Sequence, residues 1–147
     1  MKQKQLLLII LAFSAVLLAA CGGGAAPAEP QSVALEVVTH DMYYGEEDNN
    51  MDNPPVWTAP AGSIATISFD NQGTLEHNWA VIKLGADVPT PFDAENDADL
   101  ILYETGLVPP GEQRTLPFQV PTEPGEYLVI CTVAGHYPNM QGRLVVN

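Results

Sequence analysis

Basic residues are scarce in this chain. Five Lys and Arg stand against 18 Asp and Glu in 147 residues, a formal net charge of −13. Nucleic-acid binding, which rests on neutralising phosphates with Lys and Arg, is excluded on that balance. Cysteine is scarcer still: there are two, too few for a disulfide framework. Histidine occurs three times, too few for a multinuclear metal cluster built on imidazoles. No internal repeat is visible. No apolar run reaches the ~20 residues that a spanning helix needs.

The longest apolar run, Leu6 to Ala20, follows the charged start Met-Lys-Gln-Lys and ends in Leu18-Ala19-Ala20-Cys21. A charged start, a short apolar stretch and a small-residue end describe a secretory signal. The last four residues resemble the lipobox of bacterial lipoproteins, which implies cleavage after Ala20 and a lipid on Cys21. Residues 1–20 are thus expected to be a lipoprotein signal peptide. Residues 21–31, containing "GGGAAPAEP", are expected to be a lipid-anchored flexible linker. The domain, residues 32–147, would then be exported and tethered to the outer face of a bacterial membrane, with its partners at that face. Once residues 1–20 are removed, the chain keeps Lys83, Arg114 and Arg143 against all 18 acids. Such a surface suits steering toward a basic partner in low salt.

Thirteen prolines and twelve glycines punctuate short apolar runs, a pattern of strands rather than helices. Strands are expected at Ser32–His40, Ser63–Phe69, Trp79–Leu84, Tyr127–Thr132 and Arg143–Val146. Thr115–Val120 contains Pro117 and is expected at a sheet edge. "YLVICT" is apolar on both faces, as a central strand is. Residues 41–55 are a polar excursion. Residues 86–110 are expected to be a short helical or irregular insertion, with helical turns between Asp93 and Tyr103. The fold class is all-β, a β-sandwich.

Near the C-terminus stands "CTVAGHYPNM", with Cys131, His136 and Met140 in one loop. A thiolate, imidazoles and a weak axial thioether are what a blue-copper centre wants. Cu(I) favours the sulfur and Cu(II) the nitrogen, so a mixed set serves both states. The missing imidazole is His77, in "TLEHNWAVI" just before an apolar strand. Singly, Cys131 and Met140 read as core residues and each histidine as a surface group. Together, they read as a metal site, which also explains an unpaired thiol in an exported domain. Gly135 and Pro138 allow the loop to turn sharply. His40 lacks such company and reads as a surface histidine, Trp79 as core, and Tyr127 as a structural corner residue.

"HNWAVI" and "CTVAGHYPNM" followed by Gln-Gly-Arg-Leu resemble the cupredoxins, in particular the azurin and auracyanin branch. The resemblance covers about Ile64 to Val146. It implies a Greek-key sandwich and one type 1 copper held by His77, Cys131 and His136, with Met140 axial and the Glu76 backbone carbonyl as a weaker ligand. It implies that Asn78 braces the two ligand loops. Val133 and Ala134 depart from the frequent Phe-Pro pair, and Ala134 has an N–H that proline lacks. That N–H is expected to hydrogen-bond the Cys131 sulfur.

The leading expectation is a monomeric, single-electron carrier that meets redox proteins through a transient interface around His136, flanked by Ala134, Tyr137 and Pro138. Resemblance to auracyanins implies shuttling between membrane-associated redox complexes. An enzyme is disfavoured: multicopper oxidases and copper nitrite reductases place a histidine directly after the ligand cysteine, and here Thr132 stands there. A copper storage or delivery module is the alternative. Zinc accepts the same nitrogen and sulfur ligands.

Overall fold

The computed structural model describes residues 32–147. The signal peptide, linker and lipid attachment at Cys21 that the sequence leads one to expect lie outside the described residues. Among the described residues, nine strands form two sheets. The first contains β1 (Ser32–His40), β2 (Tyr43–Tyr44), β4 (Ile64–Asn71) and β7 (Gln113–Gln119), in the order β2-β1-β4-β7. The second contains β3 (Val56–Ala59), β5 (Ala80–Ile82), β6 (Ile101–Glu104), β8 (Gly125–Ile130) and β9 (Gln141–Val146), in the order β3-β9-β8-β5-β6. The β1–β4 and β3–β9 pairs are parallel and the rest antiparallel. The protein is the β-sandwich its turn-rich sequence implies.

Alternation builds the core. Leu35 and Val37 of β1, Ala65, Ile67 and Phe69 of β4, and Phe118 of β7 face inward from one sheet. Trp57, Val81, Val129 and Leu144 meet them from the other. Tyr44, Trp57, Trp79 and Phe118 pack edge to face across this seam, with centroids 5.8, 5.6 and 5.4 Å apart in succession, the arrangement aromatic quadrupoles favour. Trp57 Nε1 donates to the Glu36 carbonyl at 2.7 Å, which ties the sheets together.

β8 lies in the middle of its sheet, and its C-terminal end, Val129 and Ile130, is buried on both sides, as its two apolar faces imply. The outer cover is the segment after β5. Phe92 packs with Ala80, Ile82 and Ile130, joined by Val88, Leu100, Ile101 and Tyr137. Residues 86–110 therefore depart from the expected insertion in one respect. They hold a single 3-10 turn at Ala98–Leu100, but the apolar "ILYE" is strand β6, paired with β5 along the sheet edge. β5 itself is shorter than expected. β7 is the edge strand that Pro117 implies, since no N–H is needed on its open side. The Tyr127 hydroxyl donates to the Glu123 carbonyl at 2.7 Å, closing a corner. His40 ends β1 and stacks on Tyr43 with centroids 4.8 Å apart. Among the described residues, no helix is long and apolar enough to cross a membrane.

Candidate metal centre

The site forms where β5 and β8 run out at the same end of the second sheet. His77 precedes β5 and is held by an antiparallel bridge to Val108, with N···O distances of 3.2 and 2.8 Å. Cys131 follows β8. From there the chain loops to β9 and returns beside itself: Cys131 N–H donates to the Met140 carbonyl at 3.2 Å, and Met140 N–H to the His136 carbonyl at 2.8 Å. Gly135, with φ of +82°, makes the turn, a backbone region that favours glycine.

These elements bring His77, Cys131 and His136 together, all buried, with their donor atoms within 4.8 Å of one another. Cys131 Sγ lies 3.8 Å from His77 Nδ1 and 3.5 Å from His136 Nδ1. A first-row ion bonded to nitrogen at about 2.0 Å and sulfur at about 2.3 Å needs N···S separations of about 3.5 Å in a tetrahedron and about 3.7 Å in a trigonal plane. The donor set thus fits an ion of that size. Met140 is fully buried in the same apolar cluster as Cys131. The Glu76 side chain is exposed beside His77.

Asn78 joins the two halves of the site. Its side chain accepts from Thr132 N–H at 2.8 Å and donates to Thr132 Oγ1 at 2.8 Å. Its carbonyl accepts from the buried Tyr44 hydroxyl at 2.6 Å. The Cys131 sulfur receives backbone N–H groups of Asn78 and Val133. The donor from the loop is therefore Val133. Ala134, expected in that role, is not among the groups that lower the thiol; its side chain is exposed beside Pro91, Phe92 and Gly135.

Burial pushes the Cys131 thiol up from 9.0 to about 11, against the pull of those two N–H groups. Burial also lowers both imidazoles, with Asp41 opposing the shift at each. At neutral pH the pocket thus offers two neutral imidazoles and a protonated thiol that a metal ion must deprotonate. Asp41 had no signal in the sequence beyond an acid in a polar excursion. Its carboxylate stands 3.5 Å from His77 Nε2. Hydrogen bonds from Thr74 and Leu75, the Thr74 hydroxyl foremost, hold it down to about 2, in its charged form.

A β-sandwich that holds a buried N₂S donor set where two strands of one sheet run out defines a metal-binding cupredoxin fold. The chain belongs to the plastocyanin/azurin family of copper-binding proteins, whose profile matches residues 37–147. It is 38% identical to Auracyanin-A of Chloroflexus aurantiacus over 61% of this chain and 63% of that one. Auracyanin-B of the same organism is 35% identical over 59% of this chain and 43% of the relative. The chain thus spans less than two thirds of the length of these curated relatives. The solved structure of auracyanin A, described as a "blue" copper protein, superimposes with a TM-score of 0.64 at 30% identity, covering 80% of this chain and 100% of that one. His77, Cys131 and His136 are the copper-binding site, and one copper is the cofactor.

Proposed function

We propose that the protein is a single-electron carrier and not an enzyme, in which Met140 would help to hold the copper beside His77, Cys131 and His136. The observation that carries this reading is the buried His77–Cys131–His136 set braced on both sides by Asn78. When bound, copper supplies a one-electron change between Cu(I) and Cu(II). The protein's residues make that change cheap. Cys131 gives up its proton on loading and serves as thiolate. The Asn78 and Val133 N–H groups hold the sulfur, and the Asn78–Thr132 pair keeps the ligand loops from moving apart, so little has to reorganise.

His136 is the electron port in this reading. It is nearly buried, next to the exposed Ala134 and Gly135, with Tyr137 and Pro138 half-buried beside it. Acids flank this loop on two sides. Asp41 and Asp48 share a cleft with Asn139, and Asp93 and Glu95 line a second cleft with Ala134 and Gly135. The partner that fits is a redox protein with a basic rim and an apolar centre, met transiently and weakened by salt. The lipobox-like sequence supports an exported, membrane-tethered carrier between membrane-associated redox complexes.

Voltammetry of the copper-loaded protein tests the reading. A reversible one-electron wave, with copper retained against a chelator in both oxidation states, supports a carrier. Irreversible waves with ready loss of Cu(I) to the chelator would favour storage or delivery instead.

A further inference from the structure

We propose that Asp41 is a positioning residue of the metal centre: its carboxylate receives the His77 Nε2–H, fixes the tautomer that leaves Nδ1 for the metal, and places a fixed negative charge behind that ligand. The redox consequence rests on the copper reading above; the placement of His77 does not.

The His77 ring is fully buried, with Nδ1 turned toward the Cys131 sulfur and Nε2 on its far side. His77 Nε2 is one of two buried side-chain polar atoms among the described residues that have no hydrogen-bond partner. A buried N–H of this kind calls for an acceptor. Asp41 Oδ1 faces it at 3.5 Å, a few tenths of an ångström beyond a good hydrogen bond. Ligating histidines characteristically give their second N–H to a carboxylate or carbonyl, which orients the ring and raises its basicity.

The carboxylate is itself clamped. Asp41 Oδ1 accepts from Thr74 N at 2.7 Å and Leu75 N at 3.0 Å, and Oδ2 accepts from Thr74 Oγ1 at 2.5 Å. Thr74 and Leu75 lie directly ahead of His77 in the chain, so the loop that grips Asp41 also delivers the ligand. Gly73 leaves the room: a Cβ there would come within 2.5 Å of Asp41 Oδ1 and 3.1 Å of its backbone N. The next residue, Met42, turns through φ of +73° to bring the chain off β1 at this point, a conformation that persists only where the surroundings hold it.

The test compares native protein with Asp41→Asn, Asp41→Ala and Thr74→Val. The Asn variant keeps the shape and removes the charge; the Val variant loosens the clamp without touching His77. Two readouts are used: nitrogen NMR of the His77 ring in the metal-free and zinc-loaded protein, and the reduction potential of the copper-loaded protein. The native ring is expected to carry its proton on Nε2 and to exchange it slowly. In Asp41→Ala that proton exchanges fast. In Asp41→Asn the preference for Cu(II) over Cu(I) falls about tenfold, a rise in potential of about 59 mV for a one-electron couple. Thr74→Val moves both readouts the same way by less. A native ring protonated on Nδ1, or variants that leave proton exchange and potential both unchanged, would overturn the proposal. The metal-free NMR result stands even if the protein proves not to be blue, so failure of the copper reading and failure of this one are distinguishable.

Discussion

The two halves of the metal centre are built in opposite ways. The C-terminal half is one loop, Cys131 to Met140, closed by its own backbone: Cys131 N–H to Met140, Met140 N–H to His136, His136 N–H to Val133. The upstream half contributes a single ligand, His77, and depends on residues spread from Asp41 to Val108. Tyr44 comes from the polar excursion to hold the Asn78 carbonyl, Asp41 from the end of β1 to face His77, and Val108 from beyond β6 to fix its backbone. A short loop places Cys131 and His136 by local hydrogen bonding. A lone ligand needs the tertiary structure to place it, and Asn78 is where the two constructions meet.

Breaking that meeting point should have the largest effect. Asn78→Ala leaves the Thr132 N–H and hydroxyl unpaired in a buried site. We expect a loss of about 3 kcal/mol in unfolding free energy, with a weakened thiolate-to-copper absorption, measured by denaturant titration and visible spectroscopy.

Next in size is the pH dependence of loading, which belongs to the C-terminal half. The Cys131 thiol stays protonated up to about 11, and metal needs the thiolate. The two imidazoles, pushed below their ordinary 6.5, compete with metal only in acid. Apparent zinc affinity should therefore rise about tenfold per pH unit between pH 7 and 9, or about 2.7 kcal/mol over the range. Release of one proton by calorimetry in two buffers checks it, and Cys131→Ser should flatten the slope.

Gly135→Ala tests the local loop alone. Its φ of +82° costs a side chain about 1–2 kcal/mol, and nothing lies within 4 Å of the added methyl. Stability should fall by that amount, while the His77 ring signals stay in place.

Tyr44→Phe tests the distant half alone. Removing its hydroxyl from the Asn78 carbonyl should cost about 1 kcal/mol, with a shift in the His77 signals and little in those of His136.

The same contrast explains what was legible in the sequence. A thiol, an imidazole and a thioether in ten residues after a doubly apolar strand stand out because the loop needs no other part of the chain to bring them together. His77 was found because its company, an asparagine and an apolar strand, is also local. Asp41, Tyr44 and Val108 left no trace, since nothing at those positions announces what they touch. The strands follow the same rule. β1 and β8 show in their own alternation or two-faced apolarity. β6, four residues beside a 3-10 turn, is too short for a period of two to separate from a helical one, and pairing with β5 decides it. β3 lies behind Pro54 and Pro55 and is set by its parallel register with β9.

The most direct measurement is the visible and EPR spectrum of the copper-loaded protein beside Cys131→Ser. The account predicts an intense thiolate-to-copper band and a narrow copper hyperfine splitting, both lost in the variant. A colourless native protein, or a copper signal indifferent to Cys131, would contradict it.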